Sequence, residues 1–361
     1  MNSFFIKDIC KIGSSKRIFA NEYTKKGIPF FRSTEVIELA NKKSFVPDYY
    51  ISEKKFNEIS QKFPVPQNND ILIAAIGANM GTVYFVNLNY KFYFKDGNVI
   101  WLRDFKNAII PKYLYYWLIT KKGYNELCNT AIGSAQRALT IDKIGNIKFT
   151  APNTDLQQHI VDTVGSLDDK IENNNKITEQ LDKFLDLKFK EIYIQALESG
   201  LKINLNDIVD LKTGKKDANA AQEKGKYPFF TCSEKDSTIN DYSFDQEAIL
   251  IAGNGNMSVK YFKGKFDAYQ RTYVINSSKY FYYLYLYYKN FIKDIAVGAR
   301  GSVIKFLTKS MLLDIELPIL NDIQMNNYES IIKKILDYEL SLFNENKKLM
   351  ILKENYLKKF F

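Results

Sequence analysis

The chain has 361 residues, 46% hydrophobic and 25% charged, which is enough for two or three domains with sizeable cores. A net charge of +10 and a pI near 9.1 favour a polyanionic partner, although Lys- and Asn-rich proteins are often basic for no such reason. Cys10, Cys128 and Cys232 lie far apart, without C-x-x-C spacing or companion histidines, so they read as reduced thiols and not as disulfides or a zinc site. Aromatic residues make up 15% of the chain, which leans towards β-containing domains. MNSFFIKDIC has no signal-peptide core, and the apolar run around Tyr280–Phe291 is too short and too tyrosine-rich to span a bilayer. The expectation is a soluble, cytoplasmic protein with no membrane partner.

Taken in order, the chain writes one unit twice. Residues 1–31 open IKDICKI, pass a loop at Gly13, Ser14 and Ser15, and reach Pro29-Phe30-Phe31; residues 206–230 open NDIVDLKTG and reach Pro228-Phe229-Phe230. A strand, a glycine-rich tight turn and a second strand follow in each half. Ile71-Leu72-Ile73-Ala74 matches Ile249-Leu250-Ile251-Ala252, Asn79-Met80 matches Asn256-Met257, and Tyr84-Phe85 matches Tyr261-Phe262. Then come helical stretches from Pro111 and Ser278, and glycine-marked loops in which Ile132-Gly133 matches Val297-Gly298. The second unit is about 34 residues shorter, and most of the missing part corresponds to FVPDYYISEKKFNEISQKF, which reads as a short amphipathic helix with its flanks.

Each unit runs into a long helix. Thr154-x-x-Gln157 and Asn321-x-x-Gln324 have the spacing of a capping box. Beyond them, Ile160, Val164, Leu167, Ile171, Asn174, Thr178, Leu181, Leu185, Lys188 and Ile192 step alternately by four and three. Tyr328, Ile332, Ile335, Glu339, Leu342, Asn346, Leu349, Lys353, Tyr356 and Phe360 do the same. These are coiled-coil seams, and two in one chain predict that they pack on each other, with polar Asn174 and Asn346 available to fix register. The expected organisation is α+β: two similar globular α/β domains and two long antiparallel coiled-coil helices, an internal repeat with a pseudo-two-fold. Its boundaries are 1–151, 152–200, 201–317 and 318–361.

Catalytic signatures are missing. There is no G-x-x-x-x-G-K-[ST] loop, Gly253 and Gly255 read as a turn, and no N-P-P-[FY] or D-P-P-[FY] tetrapeptide occurs. Lone His159 reads as a structural residue on a helix face. Pro47-Asp48 with Glu53-Lys54-Lys55 satisfies a loose nuclease pattern, but such a nuclease needs its acids on adjacent strands, and this stretch reads as helix. What remains suits recognition of nucleic acid. Arg32, Ser33 and Thr34 follow the first Pro-Phe-Phe; Thr231, Ser233 and Lys235 follow the second. Asn79 sits in one glycine turn and Asn254 and Asn256 in the other; Gln136 and Arg137, then Arg300 and Lys305, lie in the glycine-marked loops. Gln270 and Arg271 lie beyond the second turn, with Arg103 in the corresponding region of the first half. Arg can pair with guanine edges, Asn and Gln with adenine edges, and Lys and Ser mostly with phosphates.

This layout resembles the specificity subunits of type I restriction-modification systems. The resemblance covers essentially the whole chain and rests on the duplicated strand–Gly–strand unit, the helix entries from Pro152 to Gln157 and from Pro318 to Gln324, the GSAQRALT loop, and the Asn-bearing helices IENNNK and LFNENK. It departs in its short length and in GARGSVIKFLT, where Arg-Gly stands for Ala-Gln. The resemblance implies two target-recognition domains, each reading one half of a bipartite double-stranded DNA site. It also implies two methyltransferase (M) subunits, with restriction/translocase (R) subunits joining for cleavage. S-adenosylmethionine, ATP and magnesium would then serve those partners, with no catalytic residue, metal or cofactor in this chain. Helices of about 40 residues span about 60 Å, long enough to set the spacer between half-sites about one DNA turn apart. A self-sufficient metal-dependent nuclease and a coiled-coil scaffold without DNA binding are the rival expectations.

Overall fold

The computed structural model describes residues 2–42, 45–133, 137–233, 237–297 and 306–361. The chain forms two compact units, Met1–Glu172 with Lys347–Phe361, and Asn173–Asn346. Both long helices are present, at Thr154–Ser199 and Asp322–Phe360, and each crosses from one unit to the other. The architecture is α+β, as the alternating and helical sequence patterns predict.

In the first unit, Asn2–Phe5 pairs antiparallel with Lys148–Ala151. The main sheet runs in the order Lys11–Gly13, Val99–Arg103, Ile71–Ala74, Val83–Phe85. A second four-stranded sheet holds Tyr23–Thr24, Tyr50–Ile51, Ile28–Phe31 and Tyr93–Phe94, the last two parallel. The stretch from Pro111, expected as one helical element, is two helices, Pro111–Ile119 and Lys121–Asn129. Thr120 breaks it: its backbone is extended and its Oγ1 accepts from the Gly123 N–H. The FVPDYYISEKKFNEISQKF stretch does contain a helix, Glu53–Ser60, capped by Ser52. Ile160, Val161 and Val164 of the first long helix complete this unit's core, and Tyr356, Leu357 and Phe360 of the second pack against it. The helices run antiparallel here, since Lys353 pairs with Asp168 (2.6 Å) and Phe360 meets His159.

In the second unit, Lys202–Asn204 pairs with Glu316–Pro318. One six-stranded sheet runs in the order Val209–Thr213, Thr272–Ser277, Phe244–Ala252, Val259–Ala268, Tyr227–Phe230, Ser237–Ile239. The sheet is continuous because Val259–Ala268 pairs on both sides, whereas the equivalent path in the first unit is broken between Val83–Phe85 and Tyr93–Phe94. The tyrosine-rich segment is the helix Phe281–Val297, and it belongs to the core. Its buried hydroxyls reach backbone carbonyls, Tyr283 at Pro318 (3.0 Å) and Tyr288 at Leu312 (2.6 Å). Buried tyrosine hydroxyls usually find such a partner, although that of Tyr328 in the same core has none among the described residues. No helix among the described residues is long and apolar enough to cross a membrane.

Of the seam positions, Ile160, Val164, Ile171, Leu185, Ile332 and Leu342 are buried, while Leu167, Leu181, Ile335, Leu349 and Tyr356 are half-buried. Near the end of the first helix the buried positions become Phe189 and Ala196, beside the expected Lys188 and Ile192. A straight helix of 3.6 residues per turn drifts against a strict seven-residue repeat, and the wider core of the second unit follows the drift. Asn174 is fully buried and donates to the Asn346 side chain (2.9 Å) and to Glu345 (2.7 Å). The two seam asparagines therefore face each other within this unit.

The first cap differs from expectation and the second agrees with it. The first helix is capped by Asn153, whose Oδ1 accepts from the Leu156 N–H, and not by Thr154. Asn321 caps the second helix, receiving the Gln324 N–H, and its amide bonds the Gln324 side chain. With Asn153 and Asn321 aligned, Gln157 matches Met325 and not Gln324, and both Gln157 and Met325 are fully buried. Gln157 bonds Ile110, Ala108 and Pro152 instead of reaching back to its own cap. The first helix ends at Ser199 before Gly200, which takes φ +72°, a conformation open to glycine at little cost.

Candidate nucleic-acid interface

Strand register aligns the two units residue by residue. Ala74 pairs with Val99 where Ala252 pairs with Thr272, so Asn98 corresponds to Arg271 and Arg103 to Asn276. Ile73 pairs with Val83 where Ile251 pairs with Val259, so Phe85 corresponds to Tyr261. The aromatic pair is thus displaced by one residue from the sequence match of Tyr84-Phe85 with Tyr261-Phe262, because the glycine turns differ in length.

On this common register, several chain segments meet at one cleft in each unit. In the first, Phe31 is fully buried beside Phe94, and the chain turns at Arg32 into the helix Ser33–Ala40. Ser33 donates its hydroxyl to the Asn98 carbonyl (2.7 Å), tying this helix start to the entry of strand Val99–Arg103. The glycine turn approaches from the other side, with Gly77 at φ +91°. A cleft of about 330 Å³ is lined by Arg32, Ser33, Thr34, Glu38, Asn79 and Asn98, among others. Four of the residues singled out by sequence, Arg32, Ser33, Thr34 and Asn79, thus come together. Thr34 and Asn79 are exposed at its rim.

The second unit has a cleft beside the same turn and strand entry, on the side of the glycine-marked loop. Gly253 donates its N–H to the Arg271 carbonyl (2.8 Å), and a Cβ on Gly253 would stand 2.5 Å from that oxygen. The Cys232 thiol contacts the same carbonyl at 3.6 Å, bringing the segment after Phe230 alongside. Gly253, Gln270, Arg271, Tyr273, Phe306 and Leu307 line a cleft of about 340 Å³. Gln270, Arg271, Ser233 and Asn256 are exposed, and Thr231 and Asn254 are half-buried.

The glycine-marked loops return to these turns, a placement sequence reasoning did not foresee. Leu139 donates to the Ala75 carbonyl (2.9 Å) and Leu307 to the Gly253 carbonyl (2.8 Å). Ile76 bridges Ala138 as Asn254 bridges Phe306. Arg137 is exposed there, its guanidinium donating to the Cys128 carbonyl (2.7 Å). Gln136, Lys235, Arg300 and Lys305 lie outside the described residues.

Arg103 stands apart from the cleft and is not a surface group. It is 4% exposed, pairs with Asp70 (3.3 Å), donates to the Val65 carbonyl (3.0 Å) and lies over the Trp101 ring. Burial pushes the Asp70 carboxyl up to about 6, against the opposing pull of the Gln67 N–H and of Arg103. Arg103 neutralises a core acid. Asp48 and Glu53 of the nuclease-like pattern sit on a loop and a helix and not on adjacent strands, and Asp48 is bound to Arg32. Among the described residues, no group of three or more His, Cys, Asp or Glu could hold a metal ion.

Comparison with known proteins agrees with this duplication. The family model for the type I restriction modification DNA specificity domain matches residues 1–183 and again 201–349. The type I restriction enzyme EcoDI specificity subunit of Escherichia coli is 45% identical over 121 residues, 32% of this chain and 27% of that protein. A putative type I restriction enzyme specificity subunit of Haemophilus influenzae, S.HindORF215P, is 35% identical over 177 residues, 48% of this chain and 41% of its own. The chain thus spans well under half the length of these two curated relatives. The crystal structure of the S subunit of a type-I restriction-modification system from M. genitalium matches with a TM-score of 0.67 at 17% identity, covering 100% of this chain and 96% of that one. That likeness is one of fold.

Proposed function

The chain belongs to the type I restriction-modification DNA specificity family, and from that membership we propose that it is the sequence-reading subunit of such a system. In this reading each unit's cleft meets one half of a bipartite double-stranded DNA site. The observation that carries it is that each unit places a polar-lined cleft beside its glycine turn and strand entry, at Asn98 in the first and Arg271 in the second. Backbone bonds such as Gly253 to Arg271 and Leu139 to Ala75 hold the frame. Thr34, Asn79, Gln270 and Arg271 remain at the surface, with the donors and acceptors that base edges require. The net charge of +10 supports the accompanying phosphate attraction.

The relatives are named as specificity subunits, a non-catalytic role. Methylation and cleavage would accordingly belong to methyltransferase (M) and restriction/translocase (R) partners, which would carry S-adenosylmethionine, ATP and magnesium. The outer faces of the long helices are available to dock the M subunits; Phe184, Leu187 and Ile194 of the first are exposed apolar residues there. The seam faces would set the spacer. Selection of random duplexes by the full chain should return two half-sites at one fixed spacing. Shortening both helices by one heptad should change that spacing and spare both half-sites. An unchanged spacing would sink the ruler, and recovery of no motif would sink DNA reading.

A further inference from the structure

Arg32 has no counterpart of its own kind in the second unit, where Thr231 follows Phe230. Its backbone N–H donates to Glu35 Oε2 (2.7 Å), and its guanidinium grips the same carboxylate through Nη2 to Oε1 (2.7 Å) and Nε to Oε2 (3.3 Å). Glu35 is 4% exposed, so it is a fixed anchor. The Tyr49 ring lies against the guanidinium, 5.0 Å from its carbon to the ring centroid. These contacts hold a planar cation still at the edge of a cleft, which is the preorganisation that bidentate recognition needs.

Nη2 also donates to Asp48 at 2.5 Å, and this second acid is unlike the first. Its side chain is 63% exposed against 6% for Glu35. It also lies in the stretch that the second unit lacks. Nη1 makes no hydrogen bond to a described residue, and Arg32 lines the cleft. An exposed ion pair is weak and exchangeable. A pair of acceptors reaching Nη1 and Nη2 together can offset its loss. Guanine offers such a pair at N7 and O6, whereas adenine presents an N–H donor beside N7.

We infer that Arg32 reads a guanine edge in the first half-site and that Asp48 is the rival acceptor the base must displace. Asp48 keeps Arg32 occupied when the wrong base is present, and its charge repels phosphates that would otherwise capture the guanidinium. The inference rests on DNA reading by this cleft.

Selection and competition binding with random duplexes, using the full chain, test it. The unsubstituted chain should require a G·C pair at one position of one half-site. Arg32→Lys should lose about tenfold discrimination there and leave the other half-site unchanged. The intact half-site also shows that the variant is folded. Asp48→Asn should bind all duplexes more tightly, by up to about fivefold, with less discrimination at the same position. Uniform weakening of Arg32→Lys across sequences, with a shallower salt dependence, would mark a phosphate contact and overturn the inference. An Arg32→Lys motif identical to the original would overturn it too, and both results would leave DNA reading standing. No motif from the unsubstituted chain would overturn DNA reading and this inference together.

Discussion

Each unit places a cleft beside its own glycine turn and strand entry, yet the linings differ, since the segment after Phe31 closes the first and the glycine-marked loop the second. In the first, a charged cluster of Arg32, Glu35 and Asp48 sits at the helix entry, and Asn98 faces it from the neighbouring strand. In the second, the entry is Thr231, and the cation comes from the strand side as Arg271. Backbone hydrogen bonds such as Gly253 to Arg271 and Leu139 to Ala75 are indifferent to side-chain identity, and so much of the lining can differ. Buried polar groups behave otherwise. Gln157 and Met325 occupy one position, and only Gln157 serves the neighbouring helix start, at Ile110. In the second unit Glu329 takes that task one turn later, accepting from the Tyr282 (3.1 Å) and Tyr283 (2.6 Å) N–H groups. A frame can move a supporting group; it cannot omit one.

The largest effect should come from the buried arginine, whose counterpart is Asn276. Arg103→Met should cost the first unit about 3–5 kcal/mol, because it leaves Asp70 buried without its cation. Asp70 is already raised from 3.8 to about 6, so its burial favours the folded state at low pH and opposes it as pH rises through that range. Loss of Arg103 raises the carboxyl further. Denaturant titrations should therefore show the full deficit at pH 8 and a much smaller one near pH 4. A deficit independent of pH would mean that Arg103 contributes packing alone.

A smaller loss should follow from giving the first unit the second unit's residue. Gln157→Met should cost about 2–3 kcal/mol, since the Ile110 N–H and two carbonyls lose a buried partner. A neutral result would show that water reaches this helix start and that the two positions are interchangeable.

The sequence carried the repeated frame well. Ile71–Ala74 and Ile249–Ala252 are the central strands, and the stepped apolar positions are the long helices. Both signals are local and periodic. The errors arose where tertiary contacts decide. Arg103 looked like a loop cation because its strand register, and Asp70 beneath it, cannot be read from spacing. Gln157 matched the capping pattern, but its amide is drawn into the domain core and Asn153 caps instead. The convergence of Arg32, Ser33, Thr34 and Asn79 depends on a parallel pairing between distant strands, Ile28–Phe31 and Tyr93–Phe94. Residue type nominated these side chains, and only topology placed them together.

The proposed reading of one half-site by each unit can be checked with a single pair of substitutions. The full chain carrying Gln270→Ala and Arg271→Ala changes the second cleft at two exposed positions. Motif selection with this variant should show one half-site with relaxed base preference, while the other half-site and the spacing stay as in the unsubstituted chain. Changes in both half-sites, or in neither, would contradict it.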